Sequence, residues 1–248
     1  MSVWRLELLR LWRTGRLIAL VATFLILGFG LPILTYYLPE LIKNAGNGVE
    51  ITLPKQTAAD SIIGFAGNVG QLGTLVVVVV AAATLAIDAR PGLAAFYRTR
   101  IHQPMRLISP RYVVVTVASV GALLLGTLGA WYETVILFGS LDFGDLLIGL
   151  ALEAIWFCFV TSIVAGFCGV VRSVLGVVGG SIAFLLALAL LGNIPWFSSW
   201  LPTRLASGSA ARFVEPPVVD LWHAVVVSIV AAVAAFALAV YGLGRREL

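Results

Sequence analysis

The amino-acid sequence predicts an all-α, polytopic membrane protein with six transmembrane helices. Hydrophobic residues make up 60% of its 248 residues and charged residues only 11%, whereas a soluble domain carries about 25% charged residues. The charges are clustered, and each long uncharged stretch meets the requirement of about 20 apolar residues for crossing a bilayer. Because these stretches are continuously apolar rather than alternating, they favour helices over the strands of a membrane barrel.

The spans are predicted at residues 17–38, 64–87, 112–132, 146–168, 174–192 and 221–243. Glu153 interrupts the fourth span, but eleven Leu, Ile, Val and Phe residues between Leu146 and Val164 each favour insertion by about 0.3–0.6 kcal/mol, against roughly 3 kcal/mol for one carboxylate. The first span is expected to be retained, because its apolar run is longer than that of a signal peptide. Residues 1–248 are therefore expected to form a single transmembrane domain.

Lysine and arginine are distributed unevenly between the two sides of this topology. Twelve lie on the side of the termini and of the loop at residues 88–111, and four lie on the opposite side. The excess predicts that both termini and this loop are cytoplasmic. The net charge of +4 is then explained by a rim that faces anionic lipid. No basic domain with a nucleic-acid-binding motif is recognisable, so nucleic acid is not an expected partner.

Residues 3–15 are predicted to form an amphipathic helix in the inner headgroup region, before the first span. Glu7 and Arg10 fall largely opposite its apolar side. The apolar side carries Trp4, Leu8, Leu11 and Trp12. The alternative is that the first transmembrane helix simply starts early.

The loop at residues 88–111 is the longest cytoplasmic connection. Pro91 suits the first turn of a short helix that runs to about Ile101, before Pro104 stops it. Such a helix presents Phe96 and Tyr97 beside basic side chains. The alternative is a basic loop that faces lipid and only fixes the topology.

This loop and the whole span pattern resemble the ABC-2 type membrane subunits of ATP-binding-cassette exporters. That family has an acidic residue after the second span, a glycine, a short helix, a proline–arginine stretch and a basic residue before the third span. The corresponding residues here are Asp88, Gly92, Pro104, Arg106 and Arg111. The N-terminal amphipathic helix, the compact length and the basic ending at 245–248 are also similar. Asp88 stands where glutamate is usual.

The resemblance implies a permease in the inner membrane of a prokaryote, with residues 91–101 docking as a coupling helix into a separate ATPase. The sequence has no G-x-x-x-x-G-K-[ST] loop, so ATP and Mg are expected in two partner ATPase subunits, with no catalytic, cofactor or metal site in this chain. A second copy or a related permease completes the pathway. The expected ATPase-coupling residues are Asp88, Arg90, Gly92, Phe96, Tyr97, Arg98, Arg100, Ile101, Pro104 and Arg106.

Two further features lie towards the outer side. Glu153 is near mid-depth in the fourth span, where an ionisable residue indicates either a part of the translocation pathway or a group that orders the bundle. Residues 195–218 are predicted to form short broken helices, which by the resemblance form a re-entrant cap. An ordinary aromatic belt is the alternative. The residues of interest in this segment are Pro195, Trp196, Trp200 and Pro202.

Two other functions compete with the exporter. An ion-coupled secondary transporter predicts broken helices in two related halves, and no internal repeat is evident. An intramembrane serine protease needs a nucleophile and a base within hydrogen-bond reach. Ser181 and His223 are the available pair, but the topology separates them by most of a leaflet and no G-x-S-G turn is present.

Overall fold

The structure, a computed structural model, describes residues 3–45, 56–86, 104–214 and 220–245, and this part of the chain is almost entirely helical. Six helices in it are long and apolar enough to cross a membrane, which confirms the all-α, six-span prediction. The second span consists of two helices joined by a π-helix, Val69–Gly73. The helices are α1 Val3–Arg13, α2 Arg16–Ala45, α3 Ala58–Asn68, α4 Thr74–Leu85, α5 Pro104–Phe138, α6 Phe143–Val170, α7 Val174–Leu191, α8 Pro195–Ser198 and α9 Trp222–Gly244.

Several spans extend beyond their predicted limits. The third begins at Pro104 rather than at residue 112, so residues 104–111, which were expected in the cytoplasmic loop, are its first turns. Proline suits that position because it has no N–H to leave unpaired in the first turn. The second begins at Ala58 rather than at residue 64, because Thr57 and Asp60 form a capping box. Charges limit how much of a helix lies in hydrocarbon, not how far the helix continues.

The bundle is organised around two close helix pairs. The first span, α2, packs along α5, and α6 packs along α9, while the second span lies against α5, α6 and α7. At the first crossing Gly28 meets Gly126, and at the second Gly169 meets Gly242. Small residues let membrane helices approach until their backbones touch, and in lipid this packing replaces the hydrophobic effect as a source of stability.

Hydroxyl groups join the spans in the buried interior. Each pair crosses between two helices and brings two hydroxyl groups within hydrogen-bond distance in an apolar environment, where polar groups need partners. These pairs are Ser61–Thr134 at 2.8 Å, Tyr112–Ser162 at 2.7 Å and Thr116–Thr161 at 3.0 Å. They fix the register of α5 against the second and fourth spans.

The fifth span is the least enclosed by the rest of the chain. Of its eighteen residues only Val177 and Ser181 are buried, and Leu175 is 84% exposed. An apolar helix with so much open surface requires lipid or another protein around it.

We predict that Gly126→Ala lowers the thermal unfolding midpoint in detergent, whereas Gly121→Ala leaves it unchanged or raises it, because alanine favours a helix over glycine. A Cβ on Gly126 would lie 2.6 Å from the carbonyl oxygen of Phe24, and overpacking of this kind costs about 1–3 kcal/mol. A Cβ on Gly121, in the same helix, meets nothing within 4 Å. Equal midpoints for the two variants would show that this crossing does not limit stability.

Candidate functional site

The end of the bundle that the predicted topology places in the cytoplasm contains a buried ion pair between α1 and α5. The Nε of Arg111 donates to Glu7 Oε1 at 2.9 Å, and both side chains are almost fully enclosed. Arg10 lies 3.6 Å from the other carboxylate oxygen. The pair fixes the N-terminal helix to the first turns of the third span, because separating two buried, oppositely charged groups is costly.

A second contact joins the same N-terminal region to the second span. Arg16, at the start of α2, donates to the hydroxyl of Thr84, next to the last residue of α4, at 3.4 Å. Thr84 lies on the second span and Arg111 on the third. Residues 87–103, which connect these two spans, lie outside the described residues. Both spans that lead to the predicted coupling loop are therefore bonded to residues 7–16. We call these two contacts the cytoplasmic junction.

The interfacial helix presents a different side to the bundle from the one expected. Glu7, expected opposite the apolar side, is buried against the protein, and so is Leu11. Trp4, Leu8 and Trp12 point outwards and are about half exposed. The expected apolar side is thus divided, because the carboxylate of Glu7 has to reach Arg111 and Leu11 lies one turn further on the same side. Exposed tryptophans suit a headgroup region.

Most of the predicted ATPase-coupling residues lie outside the described residues, and their role stays a prediction. Two of the set are described. Pro104 begins α5 and is partly buried, and Arg106 is exposed. The others are Asp88, Arg90, Gly92, Phe96, Tyr97, Arg98, Arg100 and Ile101.

The connection between α7 and α9 has an exposed and a buried part. The exposed part holds Pro195 and Trp196 in α8, followed by Trp200. From Pro202 the chain turns inwards through two short 3-10 helices, Pro202–Leu205 and Gly208–Ala210, and most of it is buried. We call residues 201–211 the inserted segment.

The inserted segment is anchored by Glu153. The hydroxyl of Ser209 donates to Glu153 Oε2 at 2.7 Å, and the backbone N–H of Ser209 donates to Oε1 at 3.2 Å. Glu153 is completely buried and lies ten residues into α6, about 15 Å along its axis. Both carboxylate oxygens accept a hydrogen bond, which offsets part of the cost of an ionisable group at this depth. Near the surface, Arg212 adds an ion pair of 2.9 Å to Asp145.

Glycines allow the inserted segment to lie directly on the spans. A Cβ on Gly70 would be 2.5 Å from the carbonyl oxygen of Ala206, and one on Gly149 would meet the Cα of Ser209. Gly208 in turn touches the backbone of Glu153. The backbone of the segment therefore rests on the second and fourth spans without side chains between them.

A cleft of about 560 Å³ lies between the second span, α7 and the inserted segment. Its inner wall includes Gln71 from the π-helix and Trp156, whose indole N–H donates to Thr74 at 2.9 Å. Leu75 and Leu186 line it and are also exposed, so the cleft opens at the apolar surface of the bundle. Glu153 is not among its lining residues, and a role for Glu153 in a translocation pathway stays a prediction.

The protease pair is not assembled. The Ser181 hydroxyl is buried without a hydrogen-bond partner among the described residues. The ring of His223 instead packs against Trp200 and Trp222, with ring centres 4.4 and 3.8 Å away. Neither side chain is hydrogen-bonded to the other.

The π-helix at Val69–Gly73 and the contact of Ser209 with Glu153 were not predicted from the sequence. The second span reads GNVGQLGT at 67–74, with glycines every third residue and two uncharged amides in an otherwise apolar run. That pattern is a usable signal, because an amide inside a span needs a hydrogen-bond partner and repeated glycines let another backbone approach closely. Ser209 carries no comparable local signal.

The described part of the chain has the fold of a polytopic membrane protein, with six helices long and apolar enough to span a bilayer. The uncharacterized transmembrane protein YxlG of Bacillus subtilis (strain 168) is 25% identical to this chain over 211 residues, which are 83% of this chain and 81% of that protein. No family model matches the chain, and no solved structure matches it.

We predict that Glu153→Leu releases the inserted segment. In a background with Cys158 and Cys168 replaced by alanine, Ala210→Cys is expected to react slowly with a membrane-impermeant maleimide, because Ala210 is 5% exposed. Loss of two buried hydrogen bonds, each worth about 0.5–1.5 kcal/mol, is expected to accelerate labelling. Asp145→Asn, which weakens a partly exposed ion pair, is the control with a smaller effect. Unchanged labelling in Glu153→Leu would contradict the anchor.

A separate prediction concerns the cytoplasmic junction. Glu7→Ala is expected to lower the unfolding midpoint clearly, because removing one partner of a buried pair costs about 3–5 kcal/mol. Arg10→Ala is expected to change it little, since Arg10 is more exposed and its separation from Glu7 is longer. Exchanging the charges with Glu7→Arg and Arg111→Glu should recover part of the loss. Equal unfolding midpoints for Glu7→Ala and Arg10→Ala would show that the Glu7–Arg111 ion pair does not stabilise the fold.

Proposed function

We infer that this chain is the membrane-spanning permease subunit of an ATP-binding-cassette exporter of the ABC-2 type. Two permeases, identical or related, form the translocation pathway in the inner membrane of a prokaryote, with all termini in the cytoplasm. Two separate ATPase subunits bind ATP and Mg and perform the hydrolysis, so this chain is not an enzyme by itself. The bacterial relative, itself named a transmembrane protein, supports the membrane assignment.

The cytoplasmic junction is the observation that carries this proposal. An ATPase that pulls on residues 91–101 needs connections that pass its displacement to the spans. Contacts from Glu7 to Arg111 and from Arg16 to Thr84 hold the spans on both sides of that loop to one N-terminal region. Without them, the pull of the ATPase on a loop between two spans would be absorbed by bending at the helix ends.

The second span provides the route from that junction to the outer cleft. Thr84 lies thirteen residues from Gln71, about 20 Å along a helix, and Gln71 lines the cleft. Movement of α4 therefore reaches the cleft wall within the same span. The neighbouring inserted segment rests on Gly70 and closes the cleft towards the outer side of the predicted topology.

The exposed fifth span supports a second permease beside this one. The cleft opens where Leu186 of α7 is exposed, so a single chain supplies only one wall of an enclosed space there. A neighbouring permease that faces this opening would complete the pathway and would cover part of the apolar surface of α7.

The test uses the chain purified from its native membrane together with its associated proteins, and the chain alone, each in nanodiscs for ATP turnover and in sealed proteoliposomes for transport. The complex is expected to hydrolyse ATP and the chain alone is not. Tyr97→Ala is expected to lower ATP-driven export and ATPase association, because it removes an aromatic contact of the coupling helix. Tyr132→Ala, at the opposite end of the third span, is the matched control.

An ion-coupled secondary transporter, the competing class, would give a different result in the transport measurement. ATP-independent accumulation by the chain alone, collapsing with an ion gradient, would overturn the exporter assignment. Equal loss of export in Tyr97→Ala and Tyr132→Ala would remove the coupling role of residues 91–101.

A further inference from the structure

The lining of the outer cleft carries no charged side chain among the residues that the structure describes. Its polar groups are an amide and hydroxyls, provided by Gln71, Thr74, Thr203 and Ser207, together with the indole N–H of Trp156. A charged group that entered would lose its hydration without meeting an opposite charge, which is costly inside a membrane. The composition of the cleft therefore favours an uncharged occupant.

Gln71 gives the cleft a specific polar point. Its side chain is exposed towards the cleft and makes no hydrogen bond to another described residue. An amide at membrane depth without a partner is unfavourable, and it becomes satisfied when a neutral donor or acceptor binds to it. Thr74, one turn further on the same span, already accepts from Trp156, so that hydroxyl is engaged.

The rest of the wall suits an apolar body. Leu75 comes from the second span, and Ile182, Leu185 and Leu186 come from α7. The volume of about 560 Å³ lies within the range of roughly 300–1,000 Å³ for small-molecule sites. Since Leu75 and Leu186 are themselves exposed in the single chain, a molecule dissolved in the bilayer reaches the cleft of the isolated chain sideways without crossing an aqueous phase.

We propose that this cleft binds an uncharged lipophilic alcohol or amide, with its polar group on Gln71 and its apolar body on the leucines of α4 and α7. That the bound molecule is also the exported substrate rests on the proposed function. The binding itself does not rest on it, because binding requires neither ATP nor a partner subunit.

The experiment uses the purified chain in phosphatidylcholine nanodiscs and three photoreactive alkyl diazirines of equal chain length, ending in a hydroxyl, a carboxylate or a trimethylammonium group. Cross-linked peptides are mapped by mass spectrometry. The hydroxyl probe is expected to label residues 67–75 and 182–189 about tenfold more than either charged probe, which corresponds to about 1.4 kcal/mol. Equal labelling by all three probes, or stronger labelling by a charged one, overturns the proposal.

Variants separate the cleft from the general lipid surface. Gln71→Leu should lower labelling by the hydroxyl probe about tenfold, the loss of about one hydrogen bond, while Gln71→Asn, which keeps the amide, should retain most of it. Leu186→Trp should block the cleft, whereas Leu190→Trp, one turn further on α7 and also exposed, should not. If both tryptophan variants label like the parent, the probe sits elsewhere.

The result is independent of the exporter test. Because no ATPase is present, neutral-selective labelling together with ATP-independent transport would refute only the exporter assignment. Labelling without selectivity in a chain that exports with its ATPase would refute only the substrate class. Each variant is first shown to unfold at the midpoint of the parent, so that lost labelling reports the cleft rather than the fold.

Discussion

Irregular backbone cannot lie at membrane depth unless its hydrogen-bonding groups find partners within the protein, and this constraint organises the outer half of the molecule. The inserted segment has no α-helix, only two short 3-10 helices at Pro202–Leu205 and Gly208–Ala210. Its N–H at Ser209 is buried where water is absent, and Glu153 supplies the acceptor. A carboxylate is well suited to this position because its two oxygens accept from the backbone and the hydroxyl of one residue at once.

The number of spans could be predicted from the sequence because membrane insertion depends on the apolar residues of each segment itself. The partner of Glu153 could not be predicted in this way. Ser209 is 56 residues away in the sequence, and the two residues come together only because glycines let their separate elements pack closely. The same reason applies at the cytoplasmic junction, where Glu7 and Arg111 are 104 residues apart. Periodicity in residues 3–13 indicated an amphipathic helix, but the burial of Glu7 depends on a charge in another span.

The residues at which the helices begin and end also could not be predicted from hydropathy. Charges at Arg106 and Arg111 marked where the apolar run of the third span begins, yet the helix starts at Pro104. Outside the hydrocarbon a helix is limited by capping and by its contacts, and here Arg111 is satisfied by Glu7 rather than by water. The third span therefore continues beyond its apolar run as a helical extension, held against α1.

The π-helix at Val69–Gly73 lies in the second span, which contacts both the cytoplasmic junction, through Thr84, and the inserted segment, through Gly70. A π turn holds one more residue than an α turn, which widens the helix locally, and such turns are frequent at functional sites. Here the widened turn places Gln71 in the cleft and Gly70 under Ala206, while Gly73 packs against Phe24 of the first span. The five residues of the π-helix therefore contact three parts of the molecule: the cleft, the inserted segment and the first span. Bulky side chains at Gly70 and Gly73 would separate the inserted segment and the first span from this turn, so the glycine spacing and the cleft depend on the same local geometry.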